Sequence, residues 1–277
     1  MTRPASKTAL MTAAFRARET ARSPRLFADP WAGALGGDEG QQVAAAMDRW
    51  NPAGELYIVV RTAYLDALIA KHVALGTTQI VMLGAGFDTR AARLASSGVR
   101  FFEVDHPETQ ADKIRRLREL DGYPIDAATY VSCDFEHTDF LDRLAAAGFD
   151  ASAPAVLVWE GVTLYLTEAA VRATLRRVAS GCHERSVVTF DFVGKRMITG
   201  AVDAKDAEVR ESLGELGEPL RWGTDDILPL LYEEGFRHVH VTSFDEVCLH
   251  FTATYARERK FRFQQIAVAS RAPVVEP

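Results

Sequence analysis

A chain of 277 residues, 48% hydrophobic and 25% charged, can bury a substantial core. Its composition excludes wholesale disorder, collagen-like repeats and a disulfide scaffold. The formal charge of −6 at pH 7 repels phosphate overall, so a nucleic-acid partner is not expected. The densest basic cluster, Lys113, Arg115, Arg116 and Arg118, falls on one predicted helix and reads as a solvated face.

The N-terminal segment carries Arg3, Lys7, Arg16, Arg18, Arg22 and Arg25 without an apolar core, so it does not read as a signal peptide. Residues 1–75 read as helical. Asn51-Pro52 has the form of a helix start, with Asn as N-cap and Pro in the first turn. From Pro52 to His72 apolar residues keep helical spacing, and Gly76 is a natural stop.

The period then changes. Short runs at Thr78–Leu83, Val99–Val104, Thr129–Ser132, Ala155–Trp159 and Ser186–Phe192 read as strands. They alternate with helical segments at Thr89–Ser96, Pro107–Leu120, Glu136–Ala147 and Thr167–Ala179. Such alternation implies an α/β fold, a parallel sheet covered by helices on both faces. After the fifth strand the rhythm breaks over residues 194–223, too long for a simple connection and expected to act as a substrate lid. A helix over Thr224–Glu234 and strands over Arg237–Phe244 and Phe263–Ser270 close the chain, the last two expected to pair antiparallel with no helix between them. One domain over 1–277 is expected: a helical cap (1–75), a core (76–193), the insertion (194–223) and a closing segment (224–271).

The longest apolar runs are strand-sized, so no membrane span is expected. Cys133, Cys182 and Cys248 form no C-x-x-C pair and suggest reduced thiols and a cytoplasmic setting. His238 and His240 would share a strand face without carboxylate or thiol company, so no metal is assigned.

Ile80-Val81-Met82-Leu83-Gly84-Ala85-Gly86 is a strand running into a glycine pair, which lets the main chain turn sharply near a nucleotide. Thr89 stands where a dinucleotide fingerprint wants a third glycine, which counts against a pyrophosphate. Asp105 follows Gly84 by 21 positions at the next strand end, where an acid can accept both hydroxyls of a ribose. Asp134 and Glu160 end the third and fourth strands. Three acidic strand ends in succession suit a ligand with several donors and positive character: a ribose, an adenine amino group, an ammonium.

The glycine turn, Val104-Asp105-His106-Pro107, Cys133-Asp134-Phe135 and Trp159-Glu160-Gly161-Val162-Thr163-Leu164-Tyr165-Leu166 together resemble the leucine carboxyl methyltransferase family, its bacterial branch in particular. Thr8-Ala9, Arg16, Arg18-Glu19 and Leu26-Phe27-Ala28-Asp29-Pro30 extend the resemblance to the N-terminus. It implies a class I methyltransferase fold, a Rossmann-like seven-stranded, mostly parallel sheet with an antiparallel last strand, and S-adenosyl-L-methionine as cofactor. Carried over by residue, it implies that Gly84, with Ala85 and Gly86, meets the methionyl part. Asp105, with His106 beside it, would hold the ribose, Asp134 and Phe135 the adenine, and Glu160 the methionyl ammonium. Arg61 would take a carboxylate of the cofactor or of the acceptor, and Tyr165 would face the acceptor.

Arg61 interrupts an apolar helix, and a buried guanidinium needs an anionic partner. A ligand carboxylate would serve, as would Asp66 with the apolar stem packed away. The expected reaction is methylation of a carboxylate on a small acid, which is ionised at neutral pH and needs no base. Met197, Ile198, Leu213, Leu216 and Trp222 are expected to wall the acceptor pocket. A nicotinamide-dependent oxidoreductase would leave Asp134 and Glu160 unexplained, and a non-catalytic binding module remains a third reading.

Overall fold

A computed structural model describes residues 6–135, 137–200, 207, 210, 211, 213, 214, 217, 219–252 and 264–273. Three helices come first: α1 (Lys7–Thr20), α2 (Ala32–Trp50) and α3 (Gly54–Ala74). The Ser6 hydroxyl caps α1 by accepting the Ala9 N–H at 3.1 Å. The Asn51-Pro52 expectation is corrected. Asn51 closes α2, its N–H donating to Met47 at 2.7 Å, and α3 begins two residues past Pro52, with Ala53 as its cap. Gly76 follows α3 with φ +94°, the left-handed stop expected.

Strand and helix then alternate: β1 (Gln79–Leu83), α4 (Arg90–Arg93), β2 (Arg100–Asp105), α5 (Pro107–Arg118), β3 (Ala128–Ser132), α6 (Phe140–Ala146), β4 (Ala155–Trp159), α7 (Glu168–Gly181) and β5 (Val187–Val193). The short helix α8 (Lys195–Thr199) opens the insertion. A helix over Leu228–Glu233 and strands β6 (His238–Ser243) and β7 (Gln264–Ser270) close the described chain.

The sheet has seven strands in the order β3-β2-β1-β4-β5-β7-β6. Pairing is parallel from β3 through β5, and β7 runs antiparallel to both β5 and β6. The order reverses between β1 and β4, whose β1 neighbour is on one side and β5 on the other. That is the switch point where open α/β sheets bind ligands. The central strands β1, β4 and β5 are buried along their whole length, as a sheet covered on both faces requires. One face packs on α3 and α1 through Val60, Leu68, Ile80 and Val158. The other packs on α6 and α7 through Leu144, Leu157, Leu175 and Phe190.

Three further expectations are corrected. A helix, Phe244–Thr252, lies between β6 and β7, and the strand expected to reach Phe244 stops at Ser243. The closing helix expected from Thr224 starts at Leu228, after a turn in which the Thr224 hydroxyl donates to the Asp226 carbonyl at 2.8 Å. Lys113 is not on a solvated face. It shares the i, i+3, i+7 stripe of α5 with Gln110 and Leu117, all buried, and its Nζ donates to Glu103 on β2 at 2.5 Å. Leu216, Glu136 and Phe263, named in the sequence reading, lie outside the described residues. The three cysteines are unpaired and buried. Among the described residues no helix is long and apolar enough to cross a membrane.

Candidate functional site

A cavity of about 480 Å³ runs along the carboxyl ends of β1, β2, β3 and β4, roofed by α1 and α3. Its floor is the turn after β1. The Gly84 and Ala85 N–H groups both donate to the Val104 carbonyl, at 2.8 and 3.2 Å. The Gly86 N–H donates to Asp105 Oδ2 at 2.5 Å. Gly84 has φ +72°, and a Cβ there would run into Val162 Cγ2. Glycine is therefore required both by the backbone conformation and by the loop after β4, which crosses directly against the turn.

Asp105 ends β2. Its Oδ1 accepts the His106 N–H at 2.6 Å, so each oxygen carries one backbone bond and keeps a lone pair for a ligand. Burial pushes its carboxyl up, against the pull of those two amide donors. His106 caps α5, its Nδ1 accepting the Glu108 N–H at 3.4 Å. Asp134 and Phe135 follow β3 at the cavity edge. Asp134 is bonded to His137 at 3.0 Å, and the Phe135 ring lies against Phe140 and Trp159 with centroids 6.1 and 6.4 Å apart.

Arg61 is 5% exposed and does not pair with Asp66. Five helical positions turn Asp66 about 140° away from Arg61, and Asp66 is taken by Arg90 and Arg93, at 2.6 and 2.7 Å. Arg61 Nε donates to Glu160 Oε1 at 2.8 Å, and Nη1 donates to Asp191 Oδ2 at 2.7 Å and to the Tyr57 hydroxyl at 3.3 Å. Nη2 has no partner among the described residues. Glu160 Oε2 accepts Arg90 Nη1 at 2.6 Å. Burial alone would raise the Glu160 carboxyl, but Arg90 and Arg61 outweigh it and hold the group below its ordinary range. Asp88, also bonded to Arg90, is likewise held down by Arg90 against burial. Both acids are ionised at neutral pH.

Sequence reading missed Tyr57, Arg90 and Asp191 as members of this network. Asp191 carried a signal: it is the single charge in the apolar strand Val187–Val193. The reading of Thr89 gains a reason. Its hydroxyl donates to Asp29 Oδ2 at 2.7 Å, an oxygen also holding Arg16 Nε at 2.9 Å. Arg16 Nη2 donates to the Phe87 carbonyl at 2.5 Å. The N-terminal cap is thus fastened onto the glycine turn through Thr89, where a dinucleotide site would hold its phosphates.

Tyr165 lies on the turn Thr163–Tyr165 beyond β4, half-buried beside Leu164, Val193 and Met197. From the insertion, Leu213 and Arg221 line the cavity, and the Arg221 N–H donates to the Leu164 carbonyl at 2.8 Å. Ile198 packs against the Leu164 cluster, whereas Trp222 packs in the core on the α6 and α7 face. The ten candidate site residues, Arg61, Gly84, Ala85, Gly86, Asp105, His106, Asp134, Phe135, Glu160 and Tyr165, line this one cavity, whereas of the expected acceptor wall Leu213 lines it and Met197, Ile198 and Trp222 do not.

Residues 9–179 match the family model described as leucine carboxyl methyltransferase. A Frankia alni protein provisionally named an S-adenosyl-L-methionine-dependent methyltransferase is 39% identical over 183 residues, 62% of this chain. The aligned part spans 63% of that protein's own length. A Streptomyces coelicolor protein with the same provisional name is 36% identical over 214 residues, 73% of this chain and 75% of its own. Among solved structures, a DUF574 family protein from Streptomyces avermitilis superposes with a TM-score of 0.63 at 14% identity, covering 94% of this chain and 97% of that one. A Thermobifida fusca protein provisionally titled a methyltransferase gives 0.58 at 15% identity over 86% and 91%. These two likenesses establish the shared fold.

Proposed function

Because the chain belongs to the leucine carboxyl methyltransferase family, we propose that it is an S-adenosyl-L-methionine-dependent methyltransferase acting on a carboxylate of a small acid. The observation that carries the reading is the row of Asp105, Asp134 and Glu160 along one cavity, with Arg61 Nη2 on its wall having no partner among the described residues. The donor set fits the cofactor. Asp105 keeps a lone pair on each oxygen for the ribose diol. Asp134 and Phe135, at the cavity edge, would flank the adenine. Glu160 is ionised and would offer its remaining lone pairs to the methionyl ammonium, and Arg61 Nη2 would take a carboxylate. Gly84, Ala85 and Gly86 bring main chain against the methionyl part.

When bound, S-adenosyl-L-methionine supplies an electrophilic sulfonium methyl group to an acceptor oxygen. The chain contributes position and dryness. A carboxylate acceptor, with a pKa of about 4, is ionised at neutral pH and needs no base. His106, which lines the cavity, has its Nδ1 occupied by the Glu108 N–H and does not serve as a base through that nitrogen. Holding the acceptor in line contributes up to roughly 7–11 kcal/mol at best, and Tyr165, Leu164 and Leu213, which line that end of the cavity, would shield the acceptor from water. Leu213 and Arg221 of the insertion supply part of that wall, and α1 and α3 close the cavity from above.

The test is incubation of the full chain with methyl-labelled S-adenosyl-L-methionine and a panel of small acids and hydroxyl compounds, read by mass spectrometry. Label that mild base releases as methanol supports a methyl ester. Base-stable label would move the acceptor to a hydroxyl, and no label on any acid would count against the carboxylate reading.

A further inference from the structure

Asp191 lies near the carboxyl end of β5, is 3% exposed, and holds none of the roles given above. Its carboxylate collects three donors from two other elements. Oδ2 accepts the Tyr57 hydroxyl and Arg61 Nη1 from α3, both at 2.7 Å, and Oδ1 accepts the Gly161 N–H after β4 at 2.6 Å. Its carbonyl accepts the Thr163 hydroxyl at 2.6 Å. The loop that carries Glu160, Gly161 and Tyr165 is therefore tied to β5 at one residue.

The consequence falls on Arg61. A guanidinium held only at Nε can still swing about its stem, but a second carboxylate on Nη1 fixes the plane of the fork. With Glu160 on Nε and Asp191 on Nη1, Nη2 is the nitrogen left toward the cavity. Gly161, at φ +68°, keeps its approach open, since a Cβ there would stand 3.3 Å from Nη2. Glu160 and Nη2 then present an acceptor and a donor side by side, the complement of an amino acid's ammonium and carboxylate.

We propose that Asp191 is a positioning residue for the amino-acid end of the cofactor, acting through Arg61; this rests on the cofactor reading above. Asparagine cannot replace it. Three donors converge on its two oxygens, and an amide offers one acceptor oxygen while its NH2 meets either the Gly161 N–H or the Tyr57 and Arg61 pair.

The experiment is isothermal titration of the full chain and its Asp191→Asn variant with three probes: S-adenosylhomocysteine, its decarboxylated analogue, and 5′-methylthioadenosine. Only the first carries the carboxylate. Asp191→Asn should weaken S-adenosylhomocysteine by about tenfold or more and leave the other two within about twofold. Equal loss on all three probes, the mark of a merely structural role, overturns the proposal, as does no loss at all. If Asp191→Asn does not fold, Tyr57→Phe removes one donor and keeps the ion pair. It should cost about threefold on S-adenosylhomocysteine alone, and a uniform or absent effect contradicts the inference. A wild-type chain that binds none of the three probes removes the cofactor reading itself, a failure distinct from unaltered binding by the variant.

Discussion

Replacing Asp105 by alanine isolates the ribose contact. In the structure each oxygen of Asp105 accepts one backbone N–H, from Gly86 at 2.5 Å and from His106 at 2.6 Å. A ribose diol would add hydrogen bonds to an ionised acceptor, worth about 1.5–3 kcal/mol each. Two such bonds are lost and the turn loosens once Gly86 loses its acceptor, so the loss of affinity should be at least about 3 kcal/mol, roughly 150-fold or more in Kd. Stability should change less. The two amides lose partners, but a charge that burial already disfavours is removed, so Tm should move by no more than about 5 °C. Titration with S-adenosylhomocysteine beside thermal unfolding reads both quantities. A variant that binds within about threefold of wild type would falsify the ribose role. A variant that fails to fold would show that the turn, rather than the ligand, depends on this carboxylate.

The remaining predictions are narrower. Gly84→Ala forces a left-handed conformation on alanine and drives its Cβ into Val162. The cost should be about 2–4 kcal/mol of stability, and an unchanged denaturation midpoint would contradict the close crossing. Because burial raises Asp105, its charge, and with it cofactor affinity, should fade with falling pH from a point above the ordinary value of an aspartate. A Kd flat down to pH 4 would speak against that. Burial likewise pushes Glu103 up to about 7, against the pull of Lys113 and with Asp88 and Asp105 adding to the rise. A raised acid holds its proton longer folded than unfolded, so this contribution is complete below the ordinary carboxylate pKa and is lost as pH rises to about 7. The double variant Glu103→Gln, Lys113→Met should flatten that slope in urea titrations at several pH values, and a slope unchanged in the variant would assign it elsewhere. Tyr165→Phe should lower kcat and spare S-adenosylhomocysteine binding, whereas a wild-type rate would remove Tyr165 from the acceptor end.

Much of the architecture was legible because the hydrophobic period changes after Gly76, and because acids recur at successive strand ends. Those are local signals, and the residues they named line one cavity. What escaped was long-range. Arg61 meets Glu160 and Asp191 across 99 and 130 positions, a pairing no local spacing encodes, whereas the neighbour suggested by proximity, Asp66, faces away. Lys113 was misread because a basic run looks solvated until Gln110 and Leu117 are seen to share its stripe. Asn51-Pro52 carries the residues of a cap, yet here they make the bend between two helices. Thr89 was read only as a missing glycine, because its partner Asp29 stands 60 positions away in the cap.

The most direct measurement is a crystal structure of the full chain grown with S-adenosylhomocysteine. Density for the nucleoside along the carboxyl ends of β1 to β4 is expected, with the ribose on Asp105 and the amino-acid end between Glu160 and Arg61. The same nucleoside bound away from that edge, or with its ribose facing other side chains, would contradict the account at its root.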